Sequence, residues 1–203
     1  MDLILKGFHG EGKFYMTLIV VLGIIGMAII AERFYYIYLK SSSGRGNFMR
    51  NVAMMLQAGR VAEAGAMAAS QDIPLAKIIS AVLQNKAKGQ AAIEKAVDEV
   101  YLTEAPRINR YLNLLPAIAN IAMLCGLLGT IFGLILAFDA VANLPAAQRP
   151  AALANGIAIV MANTWTGLAC AIPILLAHGI LSMQSERLQE EMEEKAVKVM
   201  NLL

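Results

Sequence analysis

Residues 112–138 read LNLLPAIANIAMLCGLLGTIFGLILAF, a stretch with no charged side chain. A helix needs about 20 mostly apolar residues to cross the hydrocarbon layer of a bilayer. This stretch therefore reads as a membrane helix, and it decides the fold class. Two more runs meet the same requirement. Residues 14–31 (FYMTLIVVLGIIGMAIIA) carry no charge, and residues 153–181 (LANGIAIVMANTWTGLACAIPILLAHGIL) hold His178 as their one acidic or basic residue. The linker LPAAQRP at 144–150 is short and turn-forming, so the second and third runs make a membrane hairpin.

Composition agrees. The 203 residues are 58% hydrophobic and 16% charged, with a mean hydropathy of +0.59. Soluble domains average about 45–50% apolar and about 25% charged. A net charge of +2 gives no basis for nucleic-acid binding. Cys125 and Cys170 lie in apolar runs and read as small packing residues, while His9 and His178 are far apart and lack neighbouring ligand types. No disulfide framework, metal site or cofactor is expected. No phosphate-binding loop or serine–histidine–aspartate pattern is present, so no enzyme is expected. Residues 1–13 (MDLILKGFHGEGK) have mixed charge, and no small-x-small cleavage site ends the next run, so the first run reads as a retained helix.

Charge asymmetry orients the spans. Eleven Lys and Arg lie between the first two runs, against Arg149 alone between the second and third. By the positive-inside rule the middle segment is cytoplasmic. The expected organisation is a periplasmic segment 1–13, a first span 14–31, a cytoplasmic helical domain 32–111, a second span 112–138, a periplasmic linker 139–152, a third span 153–181 and a cytoplasmic C-terminal helix 182–203. The fold class is an all-α membrane protein, with three transmembrane helices and long cytoplasmic helical extensions. Tyr35, Tyr36 and Tyr38 with Arg33 and Lys40 form an interfacial belt after the first span.

The middle segment also reads as helical. SSSGRG at 41–46 is a flexible break, and Asn47 is an N-cap candidate for a helix reaching Ser70. Pro74 sits in the first turn of the next helix, which runs to Lys88 and closes at Gly89. From Gln90, Ile93, Val97, Val100 and Tyr101 share a face, and one long helix is expected to continue into the second span, with Pro106 and Pro116 bending it. After the third span, Leu188, Met192, Val199 and Leu203 mark the apolar stripe of a charged stalk.

Inside the spans the polar residues stand out. In the second, Gly126, Gly129 and Gly133 allow close helix approach, and Thr130 either bonds its own backbone or lines a polar path. In the third, Asn163, Thr164 and Thr166 sit together beside Gly167. Asn163 and Thr166 are three residues apart on one face, with Thr164 offset by about 100°. Counted from the middle of each run, Thr130 and Thr164 lie at nearly the same depth, so an antiparallel hairpin can join them. Such groups serve either a functional polar site or ordinary interhelical hydrogen bonds. No Asp, Glu, Lys or Arg lies deep in any run, so a proton relay would need a carboxylate from elsewhere; Asp139 is at the outer edge.

Residues 119–138 with their GLLGT core, and residues 153–173 with their GLACAIP ending, resemble the second and third membrane helices of the MotA/TolQ/ExbB proton channel family, in its ExbB and TolQ form. The resemblance covers nearly the whole chain and is most specific over 112–181. It implies a homopentamer in the bacterial inner membrane around a dimeric single-span partner of ExbD, TolR or MotB type. That partner carries the membrane aspartate this chain lacks. The resemblance also implies that Thr130 and Thr164 are the family's paired pore threonines, and that H⁺ or Na⁺ flow is coupled to mechanical work on the envelope. Ile159 stands where ExbB and TolQ have a glutamate. A non-conducting scaffold for a membrane partner and a self-contained channel or transporter are the alternatives.

Overall fold

The computed structural model describes residues 13–41 and 44–202. Residues 1–12 of the expected N-terminal segment, Ser42–Ser43 of the expected break, and Leu203 of the expected stripe lie outside them. Among the described residues the chain is all-α. The helices are α1 (Lys13–Phe34), a π-helical turn (Tyr35–Lys40), α2 (Arg45–Gln57), α3 (Val61–Ala69), α4 (Pro74–Asn85), a 3-10 turn (Lys86–Lys88), α5 (Gln90–Ile108), α6 (Leu114–Ala142) and α7 (Arg149–Met200). Three helices among the described residues are long and apolar enough to cross a membrane. The chain is an all-α membrane protein.

Contacts divide it into two units. The first comprises Met1–Ala31 and Asn113–Gly179. Here α6 and α7 approach backbone to backbone. A Cβ on Gly126 would lie 3.0 Å from Asn163 O, and one on Gly167 would lie 2.9 Å from Ala122 O. Without lipid-excluding hydrophobic drive between helices, close packing of this kind is what holds membrane helices together. Gly129 accommodates the Asn163 side chain and Gly133 accommodates Val160. Helix α1 joins through Gly23, which faces Cys170, and Gly26, which faces Ile174. Cys125 and Cys170 are both free thiols.

The second unit comprises Glu32–Leu112 and Ile180–Leu203. Its core holds Val52, Leu75, Ile78, Ile79, Val82 and Ile108 with Leu188, Met192, Ala196 and Val199 of α7. Pro74 opens α4 at a position whose N–H would have no intrahelical partner. Several expectations need correction. Asn47 does not cap its helix, which begins at Arg45 after Gly44. That helix also stops at Gln57, because Gly59 takes the left-handed conformation (φ 73°) and divides the expected segment into α2 and α3. The expected single helix from Gln90 into the second span is broken as well, at 109–113, where Tyr111 has φ 63°. A bulky residue there costs about 1–2 kcal/mol. Contacts offset it: Arg110 stacks 4.6 Å from the Tyr111 ring, and Asn109 accepts from Ser185 Oγ at 2.6 Å. Pro116 then falls in the first turn of α6 and Pro106 two residues before the end of α5, so neither bends a continuous helix.

The same unit carries a chain of ion pairs. Lys40 and Lys77 flank Asp72 at 3.1 and 2.7 Å. Lys77 also reaches the buried Glu104 at 3.1 Å, and Arg107 pairs with the same Glu104 oxygen at 3.0 Å. Hydrogen bonds from Lys77 and Lys40 hold the Asp72 carboxyl down to about 2. Burial pulls Lys77 downward, but Asp72 and Glu104 more than offset it and its ammonium is stabilised overall. The buried Arg33 guanidinium bonds Glu32, donates to Arg107 O at 2.9 Å and sits 5.0 Å from the Tyr36 ring.

Candidate ion-path site

The close approach at Gly126 and Gly167 sets up the polar centre of the first unit. With no side chain between the helices at these levels, Thr130 on α6 and Thr164 on α7 come within 2.5 Å, oxygen to oxygen. Thr130 Oγ1 also lies 2.8 Å from Gly126 O, and Thr164 Oγ1 lies 3.4 Å from the same carbonyl. Each hydroxyl has one proton. If Thr130 donates to Gly126 O, Thr164 donates to Thr130, and a lone pair on Thr164 is left over. Both side chains are half-buried. The three oxygens can thus accept from a protonated group or lend lone pairs to a cation, and a turned hydroxyl can donate to a carboxylate.

Asn163 is next to this trio and is buried against Gly129. Its Oδ1 is buried with no partner among the described residues. A buried acceptor without a donor is costly, so this oxygen is suited to a water or a cation. Thr166 lies apart from the pair. Its hydroxyl donates to Ala162 O at 2.8 Å, and its side chain lines an apolar groove with Ile19, Gly23 and Cys170. Of the predicted residues, then, Thr130, Thr164, Asn163, Gly126, Gly129 and Gly167 converge, Gly133 packs one turn beyond, and Thr166 turns toward α1.

No Asp, Glu, Lys or Arg occurs between Leu114 and Phe138 or between Ala151 and Ser185. Asp139 is exposed at the far end of α6. Among the polar residues of the spans that escaped sequence reasoning is Asn120 on α6, an amide in a charge-free run. Glu104 was missed for another reason, since nothing in its local pattern distinguishes a buried carboxylate from a solvated one.

The family model for the MotA/TolQ/ExbB proton channel family matches residues 70–194. An ExbB homolog of Methanothermobacter thermautotrophicus is 29% identical over 165 residues, covering 81% of this chain and 58% of that protein. The biopolymer transport protein exbB1 of Vibrio cholerae is 28% identical over 167 residues, 81% of this chain and 73% of that one. An ExbB-like protein of Synechocystis is 24% identical over 154 residues, 75% and 73% of the two chains. This chain thus spans little more than half the length of the first relative. The family match covers more than half of the 203 residues, both threonines included, and the chain belongs to the MotA/TolQ/ExbB proton channel family, a family of channels and not of enzymes.

Proposed function

We propose that the chain is the stator subunit of an ion-driven motor in the bacterial inner membrane. Five copies ring the membrane helices of a dimeric, single-span partner of ExbD, TolR or MotB type, and H⁺ or Na⁺ flow is converted to work on the cell envelope. The observation that carries this reading is the Thr130–Thr164 hydroxyl pair over the Gly126 carbonyl, within spans that hold no charged residue. A path without its own carboxylate needs one from a partner. The partner's aspartate is alternately neutralised by an ion and re-exposed beside the pair, with Asn163 Oδ1 as an additional oxygen. Each unit charge crossing 100 mV supplies about 2.3 kcal/mol, so useful work requires several steps.

The relative named a biopolymer transport protein supports transport across the envelope as the work done. The Lys/Arg bias supports residues 1–13 and 139–152 in the periplasm, with 32–111 and 182–203 in the cytoplasm. The partnerless Asn163 oxygen favours Na⁺ as the second reading, because it can replace a hydration oxygen. Flux in Na⁺-free medium separates the two ions. Native mass spectrometry after co-purification with the single-span partner tests the assembly. The expected species is five copies of this chain with two of the partner. Monomers or dimers alone in mild detergent would contradict it.

A further inference from the structure

Asn120 is exposed on α6 and forms no side-chain hydrogen bond among the described residues. An unpaired amide facing hydrocarbon is costly, and polar side chains inside membranes face a bundle interior or water. Its neighbours along the helix indicate which. Asn113, seven residues earlier, and Leu127, seven residues later, fall within about 20° of the same line on the helix surface. Asn113 is exposed where α6 begins, and the exposed residue between the two asparagines on this side is the small Ala117. Beyond Asn120 the same exposed side turns apolar at Leu124, Leu127 and Ile131. Thr130 follows at ten residues from Asn120, about 15 Å along the axis.

This side of α6 therefore has a polar, small-residue mouth two turns deep, then an apolar band that reaches the level of the hydroxyl pair, with Thr130 about 80° round the helix from Asn120. We infer that Asn113 and Asn120 line a water-filled vestibule that carries ions from the start of α6 as far as the apolar band at Leu124 and Leu127, which separates it from the level of the Thr130–Thr164 pair. The inference rests on the ion-path reading of that pair and assigns its solvent connection. The amides offer both a donor and an acceptor to water or to a partly hydrated cation. A leucine at 120 would extend the apolar band into the mouth.

Single cysteines in the full chain, with Cys125→Ala and Cys170→Ala as background, test this in membrane vesicles. The reagent is a positively charged, membrane-impermeant thiol reagent. The reacting species is the thiolate, which requires water. Asn113→Cys and Asn120→Cys should react an order of magnitude faster than Ile121→Cys or Leu128→Cys, in vesicles exposing the end of the span where α6 begins, while Leu127→Cys stays slow. Asn120→Cys reacting no faster than Ile121→Cys would overturn the vestibule. In the assembled complex, Asn120→Leu should lower ion flux several-fold and Asn120→Gln should retain it. Normal flux in Asn120→Leu would equally overturn the assignment. Rapid labelling in a complex that conducts no ions would retain the vestibule and remove the motor; flux without labelling would remove the vestibule alone.

Discussion

Gly167→Ala and Gly126→Ala test whether backbone contact between α6 and α7 sets up the polar centre. A methyl on Gly167 would lie 2.9 Å from Ala122 O and 3.3 Å from Gly126 Cα. One on Gly126 would lie 3.0 Å from Asn163 O and 3.3 Å from Thr164 Cα. Carbon–oxygen contacts normally begin at about 3.3 Å. The atoms met are backbone, which cannot rotate aside, so the helices must separate by a few tenths of an ångström. Overpacking of this kind costs about 1–3 kcal/mol, and the better helix propensity of alanine returns about 1 kcal/mol. The net expectation is a loss of about 0–2 kcal/mol, larger for valine, whose branched Cβ adds bulk at the same point. Gly179 in the same helix has nothing within 4 Å. Gly179→Ala is thus the matched control and should be neutral or stabilising by up to about 1 kcal/mol. Reversible unfolding of the full chain in mild detergent reads all three. Gly167→Ala and Gly126→Ala as stable as Gly179→Ala would refute the close-approach reasoning.

In the second unit, Glu104→Ala leaves Lys77 and Arg107 without their shared carboxylate and should cost about 2 kcal/mol. Glu63→Ala, which removes an exposed pair with Arg60, should cost under about 0.5 kcal/mol in the same unfolding measurement. The folded Asp72 carboxyl is held at about 2, below its ordinary value of 3.8. Its contribution is present above about pH 4 and is lost as pH falls toward 2; at this exposed site it is under about 1 kcal/mol. Asp72→Asn should remove that acid-dependent part from a stability–pH profile. Gly59→Ala meets no atom but keeps φ at +73°, so it should cost about 1 kcal/mol and serve as a pure backbone-strain measurement.

The membrane spans were legible because bilayer thickness imposes a length and a composition that few other structures need. The level of Thr130 and Thr164 was legible for a similar reason, since a constant rise per residue converts sequence position to depth. The breaks at Gly59 and at 109–113 were not. Gly59 is one of several glycines in helical surroundings, and only the backbone angle distinguishes it. At 109–113 the local pattern continues without interruption, and the left-handed Tyr111 is held by Arg33 and Arg110, residues whose side chains converge only once the unit has folded. The separation of Thr166 from Asn163 also escaped the wheel argument. They do share a broad face of α7, but α1 meets one side of that face and α6 the other.

The measurement closest to the central claim is ion flux through the reconstituted complex of this chain and the proposed single-span partner, with Thr130→Val and Thr164→Val beside the natural sequence. Valine keeps the side-chain shape and removes the hydroxyl. The interhelical hydrogen bond lost averages about 0.6 kcal/mol in membranes, so both variants should insert and assemble normally. Flux should nevertheless fall sharply in each, because under the proposed mechanism the partner's carboxylate and its ion lose their oxygen partners. Both variants assembling and conducting at the natural rate would contradict the assignment of the hydroxyl pair to the ion path.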